Sequence, residues 1–100
     1  MLRVAKYDAA AFLVAINGDK VVGCIRAVYD GSRAIIHLLS MHPDYQKHGT
    51  GTKLVKSAVA ELKRRGAPTV SVTVTNASMG YWVKLGFKTL PVHLMLRTID

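Results

Sequence analysis

Hydrophobic positions along this chain fall into two rhythms, one alternating and one helical, and the switch between them lays out the elements. Residues 12–17 are apolar, Asn17-Gly18-Asp19-Lys20 is a hairpin signal because Asn and Gly tolerate the positive φ of such turns, and residues 21–29 resume a strand-like run. Asp30-Gly31-Ser32 then turns the chain into residues 33–41, whose core Ala34-Ile35-Ile36-His37-Leu38-Leu39 is apolar on both faces. Short turns between three such runs predict an antiparallel meander. Pro43 ends its third strand, since proline cannot donate to a ladder.

Over residues 50–65 the apolar positions become Leu54, Val55, Ala58, Val59 and Leu62, one stripe at helical spacing. Gly66 stops that helix and Pro68 prevents its resumption. Residues 69–74 alternate with β-branched side chains, which predicts a strand. A strand, helix, strand unit makes the third and fourth strands parallel neighbours through a right-handed crossover. Residues 77–84 predict a short helix closed by Gly86, and residues 87–90 and 92–98 the last strands, interrupted by Pro91. The expected fold is α+β, a mixed sheet in a single domain spanning residues 1–100.

Composition narrows the class. Half of the residues are hydrophobic, which excludes a disordered tail. The longest apolar runs, such as residues 9–16, fall far short of the ~20 residues of a membrane span, and no charged-then-apolar leader opens the chain. A soluble, cytoplasmic protein without membrane contact is expected. Cys24 is the sole cysteine, so neither an internal disulfide nor a cysteine metal site can form, and its strand-like surroundings favour an inert buried thiol. No metal site is expected. The formal charge of +8 favours a polyanionic partner, either nucleic acid or a ligand with several phosphates. Lys63-Arg64-Arg65 has a simpler reading, as cations complementing a helix C-terminus.

The candidate chemistry lies in Gln46-Lys47-His48-Gly49-Thr50-Gly51-Thr52, between the third strand and the helix. Gly49 and Gly51 let the backbone turn tightly, so that successive N–H groups converge beside a helix N-terminus, a site suited to phosphate. A turn alone is the competing reading. Two nucleotide motifs are excluded by spacing: Gly51 is followed by Thr52-Lys53-Leu54 rather than Lys-Ser/Thr, and Leu54 stands where a dinucleotide fingerprint needs a third glycine. Downstream, Asn76 precedes Tyr81-Trp82-Val83-Lys84-Leu85-Gly86-Phe87, a helix ending in a Gly-Phe pair.

The order apolar strand, Gln-x-x-Gly-x-Gly, helix, together with that Gly-Phe helix, resembles the GNAT superfamily of acetyl-CoA-dependent N-acetyltransferases. The resemblance runs from about Phe12 to Thr98. It implies a GNAT-like sheet without the family's first strand and the two helices after it, because eleven residues precede Phe12. In the family those elements form one wall of the acceptor site. The resemblance also implies that main-chain groups near Leu39 and Met41 pair with the pantetheine arm of coenzyme A. The loop from Gln46 through Lys47, His48, Gly49, Thr50, Gly51 and Thr52 would then hold the pyrophosphate. Asn76 would reach the cofactor from the far side, or cap the following helix. Lys47, His48, Lys53 and Lys56 lie on or just after the loop, so the cofactor phosphates account for part of the positive charge.

In many members of the family the catalytic acid is a tyrosine five residues before the final Phe of the Gly-Phe pair. Here that position is Trp82, and the tyrosine is one place earlier at Tyr81, a rotation of about 100° on a helix. Tyr81 is the candidate acid, with solvent as the alternative, and aromatic packing is the competing reading of both rings. No Asp or Glu occurs between Arg33 and Met41, which leaves His37 and His42 as candidate bases, unless both are structural. Three functions stay open: an N-acetyltransferase acting on a primary amine of a small molecule, peptide or protein; a non-catalytic acyl-CoA-binding module; and an acetyltransferase acting on an RNA-linked amine. An uncovered apolar edge, formed by residues 9–16 or 92–99, further predicts a homodimer.

Overall fold

A computed structural model describes residues 2–7, 11–46 and 49–99. Five strands form one sheet in sequence order: β1 (Leu2–Tyr7), β2 (Ala11–Asn17), β3 (Lys20–Tyr29), β4 (Ala34–Met41) and β5 (Ser71–Val72). The first four are antiparallel, and β5 pairs parallel with β4 after the crossover through helix α1 (Thr50–Arg64). A second helix, α2 (Met79–Lys84), follows a 3-10 turn over Asn76–Ser78. The GNAT-like mixed sheet expected from the sequence is present. Among the described residues, no helix is long and apolar enough to cross a membrane.

Turn chemistry explains the meander. Asn17 pairs with Lys20 across a two-residue loop in which Gly18 takes φ +67°, a conformation that costs other L-residues strain. At the next turn, Asp30 Oδ1 accepts from the backbone N–H groups of Ser32 (2.8 Å) and Arg33 (2.7 Å). Those two bonds hold the Asp30 carboxyl below its ordinary range. The core then forms between the sheet and α1, where Ile25, Leu54, Val55 and Leu62 are almost fully buried.

Three elements differ from the sequence reading. Residues 2–7 form a strand that pairs with β2 from Leu2↔Asn17 to Tyr7↔Phe12, although their mixed polarity carries no clean alternation. The alternating run at 69–74 shrinks to the two residues of β5. Residues 87–99 form neither helix nor strand, and the large apolar side chains after Phe87, Leu94 and Leu96 among them, stand exposed. Propensity selects extended backbone, but only a partner's N–H and C=O groups make it a strand.

Helix α1 follows its pattern more closely. Leu54, Val55, Ala58 and Leu62 are buried as the stripe predicts, whereas Val59 is exposed and Glu61 is buried in its place. Glu61 is held there by Arg64 Nη2 (2.6 Å) and Arg65 Nε (2.6 Å), and its carboxylate raises the pKa of Arg64. The terminal cations therefore do more than complement the dipole. Gly66, at φ +96°, donates to Lys63 O and Ala67 donates to Leu62 O, so the helix closes in a Schellman motif.

Candidate active site

A bulge in β4 builds the site. Arg26 pairs with Leu38 and Ala27 with Ile36, which leaves His37 as the extra residue. The bulge reverses the alternation of the strand: Ala34 and Ile36 are buried before it, and Leu39 and Met41 turn toward the core after it. β5 pairs with β4 only at Ile35 and Ile36, just short of the bulge. Beyond that point no strand among the described residues adjoins β4 on this side, and the sheet opens into a wedge.

The N-terminus of α1 points into the same place. Its N-cap is Gly49 in the left-handed region, φ +77°, and no side chain caps the helix. Lys53 N–H bonds to Gly49 O at 3.0 Å, so the preceding amides, Thr50 to Thr52, have no intrahelical acceptor. Orphan donors and the positive end of the helix dipole suit an anion. Gly51 has a second reason to be glycine, because a Cβ there would lie 3.2 Å from Tyr81 Oη and 3.7 Å from Met41 Cγ.

Helix α2 supplies the tyrosine, and its own C-terminal cap decides which aromatic ring enters the cleft. Gly86 at φ +96° donates to Val83 O, and Phe87 donates to Trp82 O, a second Schellman motif. The hydrophobic contact of that motif is the edge-to-face pair of Trp82 and Phe87, with ring centroids 5.3 Å apart. Trp82 is thereby buried, and Tyr81, one helical step away, faces the wedge and shares a 3.3 Å hydrogen bond with Thr52 Oγ1.

These parts enclose a cleft of about 400 Å³ lined by Leu39, Met41, Gln46, Gly49, Gly51, Thr52 and Tyr81. All seven were singled out in the sequence. Thr50 is buried beneath the helix start. A shallower depression continues along α1 past Gly49 and Thr52 to Lys53, Lys56 and Ser57. Other candidates lie elsewhere: His37 is exposed on the bulge, and Asn76 is exposed in the 3-10 turn, which Thr75 rather than Asn76 caps. His42 closes β4, where Nδ1 accepts from Asp44 N–H at 3.2 Å, and Tyr45 nearby takes a 2.8 Å hydrogen bond from Asn17 Nδ2. Lys47 and His48 lie outside the described residues. Among the described residues, none that lines the cleft carries a carboxylate or an imidazole. Cys24 is half-buried in β3, and no group of His, Cys, Asp and Glu among the described residues could hold a metal.

A strand, a glycine loop and a helix N-terminus thus meet beside a splayed sheet. Residues 2–87 match the acetyltransferase (GNAT) family, and the chain belongs to it. An acetyltransferase of Yersinia pseudotuberculosis is 32% identical over 90 residues, and one of Pectobacterium atrosepticum 31% over 91. These alignments cover 87% and 88% of this chain, which spans 64% of the length of each relative. Among solved structures, a GNAT-family acetyltransferase of Streptococcus pneumoniae is 32% identical with a TM-score of 0.78, over 89% of this chain and 70% of that one. Glucosamine-6-phosphate N-acetyltransferase of Arabidopsis thaliana reaches a TM-score of 0.81 at 13% identity, over 91% and 67% of the two chains, a likeness of fold alone.

Proposed function

We propose that this chain transfers an acetyl group from acetyl-CoA to a primary amine. The observation that carries the reading is the convergence of an uncapped helix N-terminus, the unpaired edge of β4 and the Tyr81 hydroxyl on one cleft. Backbone amides of Gly49 to Thr52 hold the pyrophosphate, with Lys53 and Lys56 adding positive charge along α1. Main-chain groups from His37 to Met41 take the pantetheine arm as an added strand.

In the chemical step the amine nitrogen attacks the thioester carbonyl carbon, the C–N bond forms, the C–S bond breaks, and the thiolate leaves. Tyr81 Oη gives that thiolate its proton, and the proton that the nitrogen sheds as the amide forms passes to solvent, which reprotonates Tyr81. An amine with a pKa near 10.4 must first lose a proton. Among the described residues that line the cleft none carries a carboxylate or an imidazole, and water is the acceptor we assign to that proton.

Free thiol released from acetyl-CoA over a panel of small amines and lysine peptides tests the reading. Thermal stabilisation by acetyl-CoA without turnover on any amine would instead support a binding module. The +8 charge also motivates an RNA-linked acceptor, for which steeply salt-dependent RNA binding is the test.

A further inference from the structure

We propose that Gly23, in β3, is a positioning residue for the pantetheine arm, because it forms the slot that keeps the Met41 side chain out of the cleft. The proposal rests on the acetyl-CoA reading of that cleft.

Gly23 is buried and stands opposite Met41 in the β3/β4 register, two residues from the Ile25↔Leu39 pair. Its backbone does not require glycine, since it is absent from the glycines with positive φ. A glycine without that need, in the middle of a strand, weakens the strand unless something occupies its missing side chain's space. Met41 does so. A Cβ on Gly23 would lie 2.4 Å from Met41 Sδ and 2.9 Å from Met41 Cε, distances that real carbon atoms do not adopt. The thioether therefore fills the volume that any other residue at position 23 would take.

The other end of Met41 faces the site. Its Cγ is 3.7 Å from where a Cβ on Gly51 would stand, and Met41 lines the cleft beside Leu39 and Tyr81. The side chain thus runs along the floor of the wedge, from the start of α1 to the slot over Gly23. With the slot filled, something has to give. The Ser40 carbonyl oxygen, 3.1 Å from the same Cβ position, belongs to the sheet backbone and cannot yield cheaply. Methionine is unbranched, with three soft torsions, so its terminal atoms move instead. The open volume beside them is the cleft, where the arm is to lie against β4. Gly23 therefore acts on binding from behind the cleft wall, through Met41.

Calorimetric titration of Gly23→Ala, Met41→Ala and the double variant, each with two probes, tests this. One probe is coenzyme A; the other is its adenosine bisphosphate half, which carries phosphates but no pantetheine. Gly23→Ala is expected to weaken coenzyme A about ten-fold or more while leaving the bisphosphate within about two-fold, and to raise KM for acetyl-CoA in parallel with kcat nearly unchanged. In the double variant the clash is gone, so coenzyme A affinity should return to that of Met41→Ala. Wild-type coenzyme A affinity in Gly23→Ala, equal loss of both probes, or no recovery in the double variant overturns the proposal. If Gly23→Ala alone does not fold, the double variant decides: Met41→Ala-like affinity supports the slot, and a selective loss of coenzyme A overturns it. Failure of the wild-type chain to bind either probe overturns the cofactor reading itself, and the slot with it.

Discussion

The Trp82 and Phe87 rings meet edge to face, 5.3 Å apart and 85° between planes, across the C-terminal cap of α2. This contact burns the ambiguity out of an aromatic pair: it commits Trp82 to the core and turns Tyr81 toward Thr52. Trp82→Ala should therefore cost about 3–5 kcal/mol of stability, the usual loss for a buried tryptophan. Tyr81→Phe should stay within about 1 kcal/mol of wild type, since its ring is partly exposed and keeps its packing. In turnover the order reverses, with Tyr81→Phe lowering kcat about ten-fold or more at nearly constant acetyl-CoA affinity. Urea unfolding and steady-state kinetics on both variants check this; equal kcat for Tyr81→Phe and wild type would leave water as the acid.

Gly49 and Gly51 are glycines for different reasons, so their alanine variants should fail differently. Gly49 has open space around it but a left-handed backbone, and Gly49→Ala should cost about 1–2 kcal/mol through strain alone. Gly51 lies in the helix, and Gly51→Ala should fold well while its Cβ pushes the Tyr81 hydroxyl away. Both should reduce the thermal shift produced by acetyl-CoA, which follows affinity by mass action. Retention of wild-type affinity by both would remove the loop from the binding site.

Asp30 gives a signed pH dependence. Hydrogen bonds from Arg33 and Ser32 lower its pKa from an ordinary value of 3.8, so folding favours the carboxylate. Its contribution is fully present above that unfolded-state value and is lost as pH falls through the lower, folded one. Asp30→Asn keeps an acceptor but cannot titrate. Urea midpoints of wild type and variant should differ by a constant amount from about pH 5 to pH 7, begin to narrow near the unfolded-state value, and converge only once pH has fallen through the lower, folded one. A gap that stays constant to acid pH would show that the turn does not depend on the charge.

Self-association is expected through the exposed segment after α2. Val92, Leu94 and Leu96 recur at period two, Leu96 is 97% exposed, and β5 is an edge strand. Strand pairing between two copies would cover both, since main-chain hydrogen bonds satisfy an open sheet edge while the alternate side chains pack. Sedimentation at roughly micromolar concentration should give a dimer that Leu94→Asp with Leu96→Asp converts to monomer. Wild-type monomer with undiminished activity would sink this expectation.

How far the sequence could be read depended on whether a feature was local. The hairpin at Asn17 to Lys20, the stripe of Leu54, Val55, Ala58 and Leu62, and the loop glycines are properties of a few consecutive residues, set by φ preferences and side-chain spacing, and each appears in the structure. Five of the seven residues lining the cleft, Gln46, Gly49, Gly51, Thr52 and Tyr81, were legible for the same reason, as they belong to two short motifs, while Leu39 and Met41 followed from the family resemblance.

What the sequence left open were relationships between distant segments. Its own residues determined the turns, the helices, the polarity of the sheet and the glycine loop before α1. Tertiary structure alone decided that residues 2–7 find a strand partner and residues 87–99 do not, that the bulge at His37 carries it out of the cleft, and that Tyr81 rather than Trp82 enters it. It also decided that Met41 lies over Gly23, eighteen positions away in sequence. The physical reason is common to all of them: a strand needs a neighbour's hydrogen bonds and a side chain needs a space to fill, and neither the neighbour nor the space exists until the chain has folded.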